Sequence, residues 1–380
     1  MEPPIYLDYN ATTPIHPEVA AAMRPVLEDT FGNPSSGHAF GRAAAALVAT
    51  ARAQVAEALG CDADEIVFTG GGTESNNLAI VGIAEARREQ GDHLVTSAVE
   101  HPAVDRVMTH LEGRGFRVTR VAVDGHGQVD PQDVAAALTP ETTLVSIMHA
   151  NNEVGTIMPI AEIAALCRDR GVAVHTDAAQ SVGKIPTAVN DLGVDLLTVA
   201  GHKFYAPKGV GALYVRRGTT LAKVLHGADH ERGLRPGTEN VPGLVGLGRA
   251  AALAAQDLES HADHQRGLRD RLHQALVAGL PTDALRLNGH PTQRLPNTLS
   301  LGFGGLDAAT LLKAMPQVAA SAGAACHAGD DRSSTVLGAM GVDAAYAAGA
   351  VRFSTGRLTT DADVDRAATH IIAAALALAP

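Results

Sequence analysis

Short β-branched or apolar runs alternate with alanine-rich helical stretches through the first two-thirds of this 380-residue chain. Segments 65–69 (EIVFT), 93–97 (HLVTS), 142–148 (TTLVSIM), 172–176 (VAVHT) and 195–200 (DLLTVA) have strand character. Between them, stretches such as 41–59 and 159–170 repeat apolar residues at the i, i+3, i+4 spacing of a helix. Such alternation implies βαβ units and an α/β fold whose mostly parallel sheet carries helices on both faces. Its apolar strands are expected to be buried on both sides.

The texture changes after about residue 240. One long Ala/Leu/Arg helix is predicted over 244–280, followed by strand candidates at 297–301 and 351–354 and a last helix over 362–378. That pattern reads as a smaller α+β domain on a connecting helix, and the length also suits two domains. The net charge of −11, with no basic tract, argues against a nucleic-acid-binding role. So does the absence of Trp beside only twelve Phe and Tyr, which leaves no stacking platform. Apolar runs such as 371–380 fall far short of the ~20 residues that span a bilayer, and the acidic start MEPPIYLDYN has no signal-peptide character. Three cysteines fit a reducing compartment, so a cytoplasmic enzyme is expected.

In a parallel α/β sheet, ligands bind beyond the carboxyl ends of the strands, and the unusual residues cluster there. After EIVFT comes Gly70-Gly71-Gly72-Thr73-Glu74-Ser75-Asn76-Asn77, opening a helix. Glycines let backbone N–H groups approach an anion, and the helix N-terminus adds its dipole. A plain strand–helix turn, capped by Thr73 or Ser75, explains this stretch equally well. After VAVHT comes Asp177, a carboxylate able to pair with a cationic heteroaromatic nitrogen or simply to cap a helix; Gln180 follows a turn later. After DLLTVA comes Gly201-His202-Lys203. Only five lysines occur, and Lys184, Lys208, Lys223 and Lys313 read as ordinary helix, loop or turn residues. A lysine at the mouth of a buried strand is where desolvation suits an amine to Schiff-base chemistry. Together, a phosphate cradle, a pyridinium partner and a Schiff-base lysine at successive strand ends describe a pyridoxal 5′-phosphate site.

Cys326 lies among small residues in SAGAACHAGDD, which reads as a mobile loop where an exposed thiol acts as a nucleophile. His327 would favour the thiolate, and Asp330 and Asp331 would oppose it. Cys167 falls on the apolar stripe of Ile163, Ala164 and Leu166 and reads as core, and Cys61 as structural. The pairs His226/His230 and His261/His264 lack a third ligand, so no metal is expected.

The chain resembles the cysteine desulfurase and selenocysteine lyase family, fold-type I pyridoxal-phosphate enzymes of the class V aminotransferase group. The resemblance spans nearly the whole length. It rests on LDYNATTP (7–14), FGNPSS (31–36), FTGGGTESNN (68–77), Glu100-His101, ANNEVG (150–155) and HTDAAQSVGK (175–184). It continues in GHKFYAPKGVGALY (201–214), HERGLRPGTEN (230–240), RLPNT (294–298), GAACH (323–327) and RFSTGR (352–357). It implies a large domain, residues 15–255, with a mainly parallel seven-stranded sheet flanked by helices. Residues 1–14 and 256–380 would form the smaller α+β domain carrying the Cys326 loop. It further implies that Lys203 holds pyridoxal phosphate, His101 stacks on its ring and assists proton transfer, and Asp177 keeps the pyridine nitrogen protonated. Gln180 would bond the ring hydroxyl, while Thr73 and His202 bind the phosphate with Thr238 of a second subunit. Asn152 would contact both the cofactor and the substrate, and Asn10 and Arg352 would bind the substrate, Arg352 by a bidentate grip on its carboxylate. Cys326 would take sulfur from L-cysteine as a persulfide, releasing alanine, and pass it to an acceptor protein of iron–sulfur, thio-cofactor or tRNA-thiolation pathways. L-Selenocysteine cleavage is the alternative, and a class V aminotransferase, which has no need of Cys326, a third.

Two positions depart from the family pattern. Ala200 stands where many desulfurases place a serine hydroxyl on the phosphate, and Gly227-Ala228-Asp229 where three glycines are usual. Asp229 beside a phosphate would be unfavourable unless it points away.

Overall fold

A computed structural model describes residues 3–322 and 334–379. Its large sheet has seven strands, in the order Ile66–Thr69, Gly211–Val215, Leu196–Ala200, Ala173–Asp177, Thr142–Ser146, His93–Ser97, Arg117–Val121. All run parallel except Gly211–Val215, which is antiparallel to both neighbours. Six of the seven are completely buried, as expected of strands covered on both faces. Only the edge strand Arg117–Val121 is partly exposed. The sequence reading missed two strands. Arg117–Val121 (RVTRV) alternates polar residues as an edge strand does, and Gly211–Val215 hides behind the glycine and proline of the preceding turn.

The helix predicted over 244–280 is two helices, Val241–Gln256 and Leu258–Gly279. Asp257 between them leaves helical geometry (φ −132°, ψ 24°). Its carboxylate receives both arms of the Arg357 guanidinium, at 2.5 and 2.6 Å. A bidentate pair of that kind rewards the break where apolar periodicity alone continues the helix.

A second sheet orders Ser321–Ala322, Ala350–Ser354, Thr298–Phe303 and Leu285–Asn288, all antiparallel. Its apolar cluster joins Leu268, Leu272 and Leu276 of the second long helix to Val364, Ala368 and Ile371 of the Asp361–Leu378 helix. Ile5 and Leu7 from the chain's start belong to the same cluster, through a two-residue parallel pairing of Ile5–Tyr6 with Val318–Ala319. The first residues then cross back, so that Asn10 to Thr13 lie over the carboxyl ends of the large sheet.

Candidate active site

The buried Leu196–Ala200 strand ends in a single 3₁₀ turn, Gly201–Lys203. A Cβ on Gly201 would stand 2.9 Å from the Val210 carbonyl oxygen, so only glycine permits this turn. Tyr205, two residues on, has φ +73°, which costs a non-glycine residue about 1–3 kcal/mol. The conformation is held at both ends. The Tyr205 amide donates to Thr13 Oγ1 at 2.8 Å, and its hydroxyl accepts from the Arg357 amide at 2.7 Å. Lys203 Nζ donates to the carbonyl oxygens of Asn10 (2.6 Å) and Ala11 (2.9 Å). His202 Nδ1 meets Thr12 Oγ1 at 3.1 Å, and the His202 carbonyl accepts from the Thr13 amide. Burial and the neighbouring Lys203, Lys208 and Lys184 charges push His202 down to about 4, so at neutral pH it is an uncharged imidazole.

The next strand, Ala173–Asp177, delivers Asp177 beside it. One carboxylate oxygen accepts from Asn76 Nδ2 at 2.7 Å and the other from the Ala179 amide at 2.9 Å. A carboxylate has about four lone-pair sites, so Asp177 retains capacity for a further donor such as a pyridinium N–H. Asn76 rides on the Gly72–Ala86 helix, which starts at Gly71, not at Thr73 or Ser75. Gly71 has φ +142° with nothing within 4 Å of an added Cβ, and a Cβ on Gly211 would meet Gly71 Cα at 2.8 Å. Bare backbone therefore faces bare backbone at the helix start, with Thr73 in the first turn. Ala200 packs here too, its Cβ 3.1 Å from where a Gly72 Cβ would lie.

Asn10 is the hub. It is 1% exposed, and its carbonyl receives Gln180 Nε2 (3.0 Å) as well as Lys203. Its side chain donates to Thr298 Oγ1 (2.8 Å) and the Asn152 carbonyl (3.4 Å) and accepts from Asn297 Nδ2 (3.0 Å). The Asn152 carbonyl in turn receives Arg352 Nη1 at 2.8 Å. Arg352 Nη2 is bound to the Asp8 carboxylate at 2.8 Å, and buried Nε has no hydrogen-bond partner among the described residues. Asp8's other oxygen accepts from Ser321 Oγ at 2.9 Å.

His101 opens the Pro102–Glu112 helix, its Nδ1 accepting from the Ala103 amide at 3.1 Å. The imidazole has solvent access, yet the surrounding protein and the Lys203 charge lower its pKa against the pull of Asp177. Beside it Glu100 is buried, accepting from Ser97 Oγ (2.5 Å) and the Met148 amide (3.1 Å). Desolvation raises it to about 8 in spite of those bonds. A carboxyl raised in the folded state stabilises fully below its unfolded pKa and loses that contribution as pH rises toward the folded value. The loss between about 4.5 and about 8 is on the order of 5 kcal/mol. Glu100→Gln should therefore flatten the dependence of Tm on pH over that window, measured by thermal melts of both proteins. Parallel curves would contradict a buried, proton-holding Glu100.

Lys203, His202, Asp177, Gln180, Asn10, Asn152 and Arg352 are thus joined in one region, with Thr73 and His101 at its edges. Thr238 is exposed, in a segment tied to the glycine turn by Arg235 on Glu74 (2.9 Å). Cys326 lies outside the described residues, as do His327, Asp330 and Asp331. Asp229 turns outward onto Lys223 (2.8 Å) with its side chain 80% exposed. Cys167 is fully buried, where desolvation pushes its thiol up to about 12. Lys184 corrects the sequence reading: it is no ordinary loop residue but a buried amine 2.8 Å from Gln180 Oε1. Asn76, Asp8 and Asn297 were also missed, because each acts through a residue more than 100 positions away.

The glycine cradle, the neutral His202, the Asp177 carboxylate and the lysine between them fit pyridoxal phosphate. Fold and donor set together define the class of pyridoxal-phosphate enzymes built on a mainly parallel seven-stranded sheet. The family model for aminotransferase class-V matches residues 5–367. The chain belongs to that family, whose members use pyridoxal phosphate. It is 49% identical over 364 residues to a cysteine desulfurase of Trichormus azollae, covering 95% of this chain and 90% of that one. It is 45% identical over 364 residues to the cysteine desulfurase IscS of Methanosarcina thermophila, covering 95% and 89%. Among solved structures, a NifS-like protein superposes with a TM-score of 0.91 at 36% identity, over 97% of this chain and 98% of that one. The SspA protein solved in complex with cysteine gives 0.81 at 36% identity, over 92% and 98%.

Proposed function

We propose that this chain is a pyridoxal-phosphate-dependent L-cysteine desulfurase that releases L-alanine and carries the sulfur as a persulfide on Cys326. The observation that carries the reading is the convergence of an amine and a guanidinium on one hub. Lys203 Nζ sits on the Asn10 carbonyl, while Asn10 Nδ2 and Arg352 Nη1 share the Asn152 carbonyl. An amino acid held there by its carboxylate presents its Cα to a lysine. Pyridoxal phosphate, when bound, supplies an electron sink that stabilises negative charge at that carbon.

This chain's residues do the rest. Lys203 holds the cofactor and moves the Cα proton. Asp177, oriented by Asn76, keeps a ring nitrogen protonated. Gln180 would donate to the ring hydroxyl, His101 would lie against the ring and assist proton transfer, and Thr73 and His202 would hold the phosphate. Arg352, with Asn10 and Asn152, receives the substrate carboxylate. The Cys326 thiolate attacks the substrate sulfur. The Cβ–S bond breaks, an S–S bond forms, and the carbon fragment takes up the proton. The sulfur pair is oxidised as the carbon is reduced, so no external oxidant is required.

Residues 15–255 form the cofactor-binding unit in this reading, and residues 1–14 with 256–380 the smaller one, consistent with the separate apolar cluster that includes Ile5 and Leu7. The chain works as a homodimer in the cytoplasm, with Thr238 reaching the partner's phosphate, and passes sulfur to an acceptor protein. The exposed Phe31 and Phe40 (80% and 58%), their rings 5.1 Å apart, offer an apolar contact. Among the described residues no helix is long and apolar enough to cross a membrane.

The test is alanine release from L-cysteine and from L-selenocysteine by wild type and Cys326→Ala. Wild type should turn over cysteine with a persulfide trapped on Cys326, and the variant should lose that turnover by at least ~100-fold, the usual scale for a missing nucleophile or acid–base group. Turnover of selenocysteine alone would make the protein a selenocysteine lyase. Keto-acid-dependent transamination that survives Cys326→Ala would make it an aminotransferase.

A further inference from the structure

We propose that Lys184 is a positioning residue that locks the Gln180 side chain with its N–H₂ toward the cofactor's ring hydroxyl, an inference that rests on the cofactor assignment above. The donor and acceptor roles follow from main-chain groups that have no choice. Gln180 Nε2 faces the Asn10 carbonyl at 3.0 Å, which only accepts, so that end of the amide is the donor. Oε1 is then the opposite end, and Lys184 Nζ donates to it at 2.8 Å. Asn10 is fixed in the same way. Its Nδ2 faces the Asn152 carbonyl, so its Oδ1 accepts, from Asn297 Nδ2 at 3.0 Å and from Lys184 Nζ at 3.4 Å. Lys184 thus donates into the two amides that frame Lys203.

The consequence is a matter of sign. With Oε1 engaged by Lys184 and one N–H on Asn10, Gln180 keeps one N–H for a third partner. The phenolic oxygen of pyridoxal phosphate is an acceptor, so it is met by a donor. A flipped amide would turn a carbonyl oxygen on it instead, and lone pair would face lone pair. Lys184 is 6% exposed, and burying an amine without that return is costly. Burial, joined by the charges of Lys203 and Arg352 around it, holds its pKa well below the ordinary value, while His202 and His261 feel its charge in turn.

The experiment is a pH titration of the visible absorbance of the cofactor-loaded protein, without substrate, in wild type, Lys184→Met, Lys184→Gln, Gln180→Ala and the Lys184→Met/Gln180→Ala double variant. A hydrogen bond to the phenolic oxygen stabilises its charged form and so lowers the proton affinity of the adjacent nitrogen. Lys184→Met should raise the absorbance midpoint by about one pH unit, and Gln180→Ala by a similar amount. The double variant should move no further than Gln180→Ala alone. Lys184→Gln, which keeps a donor but no charge, should titrate as wild type. An unchanged midpoint in Lys184→Met overturns the proposal, as does full additivity in the double variant or a Lys184→Gln midpoint equal to that of Lys184→Met. A wild-type protein that binds no pyridoxal phosphate would instead overturn the cofactor assignment of Lys203, a failure visible before any variant is made.

Discussion

Lys203→Ala is expected to abolish alanine formation from L-cysteine, by a factor of ~10³ or more, because in the proposed function one amine both holds the cofactor and moves the Cα proton. Proton transfer by a positioned group alone contributes about 10²–10⁴ in rate, and the covalent anchor is lost with it. No other amine takes its place: Lys184, which feels the Lys203 charge, is engaged with Gln180 and Asn10. The fold should survive. Lys203 ends a single turn whose geometry is set by Gly201 and by the Thr13 bonds to His202 and Tyr205, none of which uses the lysine side chain. The measurement is alanine release, paired with borohydride reduction of the wild type and mapping of the labelled peptide. Full activity in the variant, or a label on another lysine, would sink the assignment.

Arg352→Ala should lower kcat/KM for L-cysteine by at least ~30-fold, the low end of what truncating one partner of a buried charge pair costs, about 2–5 kcal/mol. The guanidinium is 8% exposed and already spends one arm on Asp8 and another on the Asn152 carbonyl. Its buried Nε finds no partner among the described residues, so part of the planar fork is still available to a substrate carboxylate. The loss should fall mainly on KM, since the role proposed for the arginine is to hold the carboxylate, away from the breaking bonds. Lys at this position should restore little, because a point charge cannot reproduce the two-arm geometry. Steady-state kinetics on both variants checks this. An unchanged kcat/KM would remove Arg352 from the site.

Much of this architecture is legible in one dimension. Strand–helix alternation is periodic, and the buried parallel strands read as unbroken apolar runs such as LLTVA and IVFT. Strand ends are where ligands gather, so Asp177 and Lys203 stand out next to their own strands. The readings that failed share a cause. The Asp257 break depends on Arg357, a hundred residues on, and helical periodicity passes straight through it. Lys184 looks ordinary because nothing in SVGKIP records that its amine is buried against Asn10.

The sequence by itself therefore determined the fold class and the family and singled out Lys203 as the candidate amine, all of them carried by local pattern and motif. Only the tertiary structure decided what each of those groups is paired with. Asn10 reaches Lys203, Gln180, Lys184, Asn297 and Asn152 at once, and Asp8 answers Arg352 across 344 positions. Hydrogen bonds fall away within a few tenths of an ångström. Partners that meet only after the chain's start has crossed from one apolar cluster to the other leave no spacing in the sequence from which to read them.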